Sequence, residues 1–229
     1  MNWQELEKLL RIIVPESYAV EGDFYGWVSD VRPSNVEKVA VVVDVPDNFD
    51  FSHFDMVISH HKPYFNPGFP VFVIHTPLDR IDWGCNYSLG TVLGLENLIF
   101  FDDNRFGMYG ITKLTSKEFS NRILKILNLK NIRYFLPEKI EKVAVFSGCG
   151  FNFPDFIQKL FDFNIDVAVS GDLVHHVACR LKCAGIGFVD ASHYRTEIPG
   201  MLEFTRRLAK FIDAEFIDVG FPYIDICLS

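Results

Sequence analysis

The sequence repeats a strand pattern, and this repeat constrains the fold more than any single motif. The pentapeptide EKVAV occurs at residues 37–41 and again at 141–145, each time opening an apolar run typical of a buried strand. Two further pairs follow in the same order: DMVIS at 55–59 with DVAVS at 166–170, and H-x-x-x-D at 75–79 with H-x-x-x-E at 193–197. The offsets between partners grow smoothly, from 104 to 111 to 118 residues. Three pairs in register predict two related halves built on a duplicated βαβ unit.

Short β-branched runs alternate with amphipathic segments, and this alternation predicts an α/β layered fold. The predicted strands cover residues 38–44, 55–59, 71–75, 142–147, 166–170, 186–190 and 214–219. The predicted helices cover residues 3–13, 86–97, 116–128, 154–162, 173–184 and 197–212. Thr115 and Glu118 stand in capping-box spacing, which marks the start of the third helix.

The repeat places two similar α/β lobes in the chain. The first lobe is predicted at residues 1–105 and the second at 141–229. Residues 106–140 are predicted to form a connecting helix and strand, or an extension of the first lobe. At 229 residues the chain is long enough for the two lobes to pack as one compact unit with a substantial core.

Composition narrows the classes of function. No apolar run reaches the roughly 18 residues that span a bilayer, and the start MNWQELEKLLRII favours an amphipathic helix over a signal peptide, so a cytoplasmic location is expected. The net charge of −8 argues against a broad nucleic-acid surface, so the expected partner is a small molecule or none. The five cysteines show no CxxC spacing, and Cys179 and Cys183 are expected to be buried as small apolar residues.

The histidines are concentrated where ligand sites form. Ligands of parallel α/β sheets bind beyond the carboxyl ends of the strands. Six of the seven histidines lie at predicted strand ends or in the adjacent turns: His60, His61, His75, His175, His176 and His193. A lone histidine there is more often a surface residue than a ligand, but the adjacent pair and the two H-x-x-x-[D/E] elements favour a metal site. Imidazole with carboxylate suits zinc, iron, manganese or nickel better than calcium.

Two carboxylates occupy equivalent places in the repeat, Asp79 and Glu197. Carboxylates can bridge two cations, and the predicted ligands are more numerous than one structural zinc needs. The predicted ligands are His60, His61, Asp79, His193 and Glu197. They are expected to hold two divalent ions about 3.5–4 Å apart, with positions open for a polarised water, so hydrolysis is the expected chemistry.

Other motifs favour structural roles. Three roles are open to Ser170-Gly171-Asp172 and the histidines that follow: a pocket wall, a hydrogen-bond partner of a metal ligand, or a helix N-cap. The cap is favoured for Asp172. The segment Ser147-Gly148-Cys149-Gly150 resembles a phosphate-cradling turn. It matches neither a P-loop nor G-x-G-x-x-G, so a tight strand-to-helix turn is favoured and a nucleophilic triad is disfavoured.

On these motifs the sequence resembles the Ngg-interacting-factor-three-like family, whose bacterial and archaeal members are often labelled GTP cyclohydrolase I type 2 homologues. The resemblance covers nearly the whole chain, and its most specific segment is DASHYRTE at 190–197. It implies two α/β lobes facing each other across a dinuclear metal site, assembled into a ring-shaped hexamer. It places the family's ligands on the five residues named above and a pocket histidine on His75.

Two departures bear on the substrate. Lys62 stands between His61 and Pro63, where the family usually has proline directly after the two histidines. Only 13 residues separate His61 from His75, too few for the helix the family commonly has there, so one wall of the pocket is expected to be rebuilt.

The sequence therefore predicts a metal-dependent hydrolase of a nucleotide-like or phosphate-bearing small molecule, with His75 as a proton shuttle. The rival is a non-catalytic metal-binding or ligand-binding module that regulates or scaffolds a partner. Metal storage or chaperoning is the least favoured because the ligand set is compact.

Overall fold

The computed structural model describes residues 1–222, in which the chain forms two compact units. Unit 1 comprises Met1–His75 with the residues from Thr205 onward, and unit 2 comprises Thr76–Phe204. The predicted lobe limits follow the sequence repeat rather than this division and stay a prediction. Cys227 and the end of the second predicted lobe lie outside the described residues.

Each unit contains one β-sheet, and seven α-helices accompany the two sheets in the described residues. The helices are α1 Trp3–Ile13, α2 His75–Arg80, α3 Cys85–Val92, α4 Ser116–Ile126, α5 Pro154–Asp162, α6 His175–Cys183 and α7 His193–Leu208. The strands are β1 Gly26–Trp27, β2 Lys38–Val42, β3 Met56–Ser59, β4 Val71–Val73, β5 Glu96–Phe100, β6 Met108–Ile111, β7 Arg133–Phe135, β8 Lys142–Val145, β9 Val167–Ser170, β10 Gly187–Asp190 and β11 Asp213–Phe216. None of these helices is long and apolar enough to cross a membrane.

The sheet of unit 1 has the strand order β1-β4-β3-β2-β11. Strands β2, β3, β4 and β11 run parallel, and β1 pairs antiparallel with β4. Strands β2, β3 and β4 are almost entirely buried and read as continuous apolar runs, as expected of parallel strands covered on both faces, whereas the edge strand β11 alternates exposed and half-buried residues. The core on one face brings together Ala40, Val42 and Val57 with the ring of Phe51.

The sheet of unit 2 has the strand order β5-β6-β8-β9-β10-β7, with a parallel centre of β8, β9 and β10. Successive residues of a strand point to opposite faces. Ala144 and Ala168 accordingly pack in one core with residues of α5 and α6. Val143 and Val167 pack in the other core with residues of α3 and α4.

An aspartate side chain accepts two backbone hydrogen bonds at the start of each copy of the EKVAV pattern. In unit 1, Asp55 Oδ2 accepts hydrogen bonds from the N–H groups of Glu37 and of the next residue, at 2.8 and 2.9 Å. In unit 2, Asp166 Oδ2 accepts the corresponding bonds from Glu141 and the residue after it, at 3.0 and 2.8 Å. In unit 1 the aspartate before β3 therefore fixes the start of β2. In unit 2 the aspartate before β9 fixes the start of β8 in the same way.

Most predicted elements are present, with shifted ends. Helices α1 and α5 have the predicted limits, and α4 begins with both hydrogen bonds of the capping box. The predicted helix at 86–97 is wrong at its end: α3 stops at Val92, and the chain enters β5 at Glu96. Gly94, with φ of 76°, supplies the left-handed residue that commonly follows a helix end.

Candidate metal-binding site

Three histidines meet in unit 1 beyond the carboxyl ends of β3 and β4. His60 and His61 follow β3, and their N–H groups donate to the carbonyls of Val42 and Val43 at 3.0 Å. His75 follows β4 and is the first residue of α2. One ring nitrogen from each histidine lies within 4.8 Å of the other two. These three residues form the unit 1 cluster, and their spacing allows them to bind one cation in common.

Two rings of the unit 1 cluster are held from behind by aspartates. His61 Nδ1 lies 2.9 Å from Asp44 Oδ1, and His75 Nδ1 lies 2.6 Å from Asp23 Oδ1. A carboxylate on Nδ1 fixes the orientation of the ring and makes Nε2 the metal-binding nitrogen, as in many metal sites. The aspartates therefore prepare His61 and His75 to present Nε2.

A second cluster lies in unit 2 at the start of α7. His193 begins this helix, and Glu197 stands one turn later with its Oε1 3.0 Å from His193 Nε2. Asp172 Oδ2 lies 2.7 Å from His193 Nδ1, so this ring is also held by an aspartate. Asp79 is grouped with this pair because its charge, like that of Glu197, raises the pKa of the Cys85 thiol. His193, Glu197 and Asp79 are called the unit 2 cluster below. Both H-x-x-x-[D/E] elements thus lie on the first turns of helices.

The unit 2 cluster attracts positive charge. Burial lowers the pKa of His193, but the charge of Glu197 and the hydrogen bonds that His193 donates to Asp172 and Glu197 outweigh burial and raise it to about 10. The metal-free ring therefore holds a proton at neutral pH. A cation that replaces this proton binds more tightly as the pH rises.

Two thiols adjoin the carboxylates of unit 2. Cys85, the first residue of α3, is buried, and burial together with the charges of Asp79 and Glu197 raises the pKa of its thiol well above the usual value. The pKa of Cys149 is raised to about 11, by burial first and then by neighbouring carboxylates that include Asp172. No motif in the sequence indicates a role for Cys85, although it follows Asp79 by only six residues.

The turn at 147–150 packs against the unit 2 cluster, and two of its N–H groups donate to side chains. The N–H of Ser147 donates to Asn86 Oδ1 at 2.9 Å, and the N–H of Gly148 donates to Thr196 Oγ1 at 2.8 Å. Gly148 has φ of 79°, and a Cβ on it would lie 2.4 Å from Glu197 Oε1. The preferred interpretation, a tight turn, agrees with this geometry, which also shows why the turn needs glycine.

The substitution Gly148→Ala should displace Glu197 and lower the free energy of unfolding by about 1–3 kcal/mol, the usual effect of overpacking. Metal affinity should fall as well. Gly185→Ala is the matched control, because Gly185 also has a positive φ, 75°, but no atom lies within 4 Å of the added Cβ. Urea unfolding and metal titration of the two variants measure the difference. Equal effects would show that backbone strain alone is responsible.

Two predictions about α6 and its surroundings are wrong. Asp172 does not cap α6, whose N-cap is Val174, but holds His193 from a left-handed conformation with φ of 60°. Cys179 and Cys183 are exposed rather than buried. Val177 and Leu181 are buried instead. Each cysteine is two positions from one of these buried residues, which turns its side chain about 200° around the helix axis, to the opposite face.

The predicted site residues fall into these two clusters. His60, His61 and His75 lie in unit 1, while Asp79, His193 and Glu197 lie in unit 2. His175 and His176 are exposed on α6. Imidazole nitrogens and carboxylate oxygens are suitable ligands for divalent transition ions, so both clusters fit such a cation. The fold and the clusters define a mixed α/β protein with a candidate metal-binding site.

Comparison with known proteins identifies the family. Residues 68–222 match Duf34/NIF3 (NGG1p interacting factor 3), and the chain belongs to this family. A relative from Methanothermobacter thermautotrophicus named "GTP cyclohydrolase 1 type 2 homolog" is 28% identical over 224 residues, which cover 95% of this chain and 93% of the relative.

Solved structures agree with this assignment. "Reduced HcgD from Methanocaldococcus jannaschii" is 26% identical with a TM-score of 0.81, covering 94% of this chain and 96% of that one. The Staphylococcus aureus hypothetical protein SA1388 has a TM-score of 0.86 at 21% identity, covering 99% of both chains. At 21% identity, the similarity to the Staphylococcus aureus protein shows a shared fold only.

Proposed function

We propose that the chain binds two divalent cations through His60, His61, Asp79, His193 and Glu197. We further propose that it is a metal-dependent hydrolase of a nucleotide-like or other phosphate-bearing small molecule. The observation that carries the proposal is the aspartate on Nδ1 of a histidine in each cluster, Asp44 behind His61 and Asp172 behind His193. This pairing is typical of metal-binding histidines.

The charge of the unit 2 cluster supports the same proposal. Glu197 is only 2% exposed, and a buried carboxylate is costly unless a positive group compensates it. In the metal-free protein the proton on His193 has this role. Asp79 and Glu197 would neutralise cation charge, and either carboxylate has the two oxygens that bridging requires.

Bound divalent cations would supply a water nucleophile near neutral pH and stabilise charge on a phosphoryl oxygen. His75 would supply the proton transfer. Because Asp23 holds its Nδ1, His75 would accept or donate a proton at Nε2, which is the arrangement of an oriented acid-base histidine.

The repeat supports equivalent roles for the two carboxylates Asp79 and Glu197, which occupy equivalent places in it. We infer that the halves arose by duplication, since Asp55 and Asp166 hold equivalent strand starts in the two units. Facing lobes, the ring-shaped hexamer and the cytoplasmic location stay proposals that rest on the sequence and on the family.

Metal analysis after reconstitution and desalting tests the proposal and should give about two cations per chain. A screen of nucleotides and simple phosphoesters, with and without a chelator, then tests catalysis. Chelator-sensitive turnover supports the hydrolase. Tight ligand binding without turnover supports the rival, a non-catalytic binding module. The absence of metal uptake would contradict the hydrolase and a metal-binding module alike.

A further inference from the structure

Helix α6 presents a histidine and a cysteine side by side on its exposed face. His175 and Cys179 are one turn apart, both exposed, and His175 Nε2 lies 3.6 Å from Cys179 Sγ. The opposite face of the helix is anchored in the core of unit 2 by Val177 and Leu181. The helix axis is therefore fixed while this pair of donor atoms faces solvent.

The separation of the two donor atoms matches one edge of a zinc coordination tetrahedron. Zinc binds imidazole nitrogen at about 2.0–2.1 Å and thiolate sulfur at about 2.3 Å, so a tetrahedral angle places the two atoms about 3.6 Å apart. The i, i+4 spacing is also that of the two zinc-binding histidines in H-E-x-x-H helices. Little rearrangement is needed for the pair to chelate a cation.

We propose that His175 Nε2 and Cys179 Sγ form an accessory site for a thiophilic divalent cation of the zinc type. As the metal–sulfur bond forms, the thiol proton passes to solvent water, and water completes the coordination of the cation. A thiolate ligand selects zinc over magnesium or manganese. Neither donor belongs to the unit 1 or unit 2 cluster, so the accessory site stands independently of the proposed function.

Alkylation of individual cysteines tests this site in the full chain. The protein is treated with iodoacetamide in the presence of Zn²⁺, Mg²⁺ or neither, and each cysteine is followed by peptide mass spectrometry. Zn²⁺ should largely abolish alkylation of Cys179, because the metal-bound sulfur is no longer a free thiolate. Cys183, exposed one turn further along α6, is the internal reference and should react as before.

Two variants separate chelation from other kinds of protection. His175→Ala should leave Cys179 reactive and abolish its protection by Zn²⁺, whereas His176→Ala, at the neighbouring exposed histidine, should retain the protection. With Co²⁺, the sulfur-to-metal absorption band should be lost in Cys179→Ser and retained in Cys85→Ser. The proposal is overturned if Zn²⁺ leaves Cys179 reactive, if protection survives His175→Ala, or if the Co²⁺ band depends on Cys85 instead.

Discussion

The variant Glu197→Ala should lose both proposed cations, because it removes the carboxylate 3.0 Å from His193 Nε2 that would bridge them. Glu197→Gln should be almost as damaging, since the amide keeps the shape but loses the negative charge. Metal content after desalting is the measurement, once circular dichroism shows that the variants fold. Glu138→Ala, at an exposed glutamate of the same unit, is the matched control and should bind metal like the wild type. Full retention of metal by Glu197→Ala would refute its bridging role.

The substitution Glu197→Gln should also change the pH dependence of stability in the metal-free protein. The raised pKa of His193, from the usual 6.5 to about 10, stabilises the metal-free fold fully below pH 6.5, and this contribution is lost as the pH rises through 10. Glu197→Gln removes the largest single contribution that raises the pKa of His193, while Asp172 remains, so it should weaken this pH dependence. NMR titration of His193 and thermal unfolding between these pH values distinguish a charge effect from a loss of packing.

The variant His75→Ala should keep both cations while lowering turnover by roughly 10²–10⁴-fold, the usual contribution of a positioned acid or base. Asp23→Asn should lower turnover in the same direction, because the carboxylate 2.6 Å from Nδ1 no longer orients the ring. His53→Ala, at an exposed histidine outside the unit 1 cluster, is the control.

Metal content and turnover must be measured on the same preparations of these variants. If His75→Ala loses metal while Glu197→Ala retains it, the roles assigned to the two H-x-x-x-[D/E] elements are reversed. If both variants lose metal, His75 is a ligand rather than a proton shuttle, and Asp23 supports a ligand as Asp44 does for His61.

Local signals explain which elements could be predicted. Helix α4 could be placed because Thr115 and Glu118 form a capping box, which acts over three residues. The inner parallel strands could be placed because burial on both faces requires continuous apolar runs. The two-residue strand β1 carries no comparable signal, since it forms only by pairing with β4 much later in the chain.

The site was predictable only in part for the same reason. The histidines of both clusters follow strands and could be recognised. Their supporting aspartates could not, because Asp23 is 52 residues from His75, and Asp172 is 21 residues from His193. No short-range pattern joins such pairs. The sequence predicts Cys179 in the core because cysteine is usually buried, but the position of a residue around the helix axis decides whether it is covered, and Cys179 is exposed.

The order in which the strands of unit 1 are synthesised has a consequence for folding. Strand β11 pairs with β2, with Asp213 opposite Lys38, and the whole of unit 2 is translated between these two residues. Unit 2 is one uninterrupted segment, so on the ribosome it can fold before unit 1 has its last strand. Until that strand arrives, β2 is an unpaired edge able to pair with another nascent chain. Slow translation of the last residues or a missing β11 should therefore increase aggregation, even though the proposed metal ligands are already synthesised.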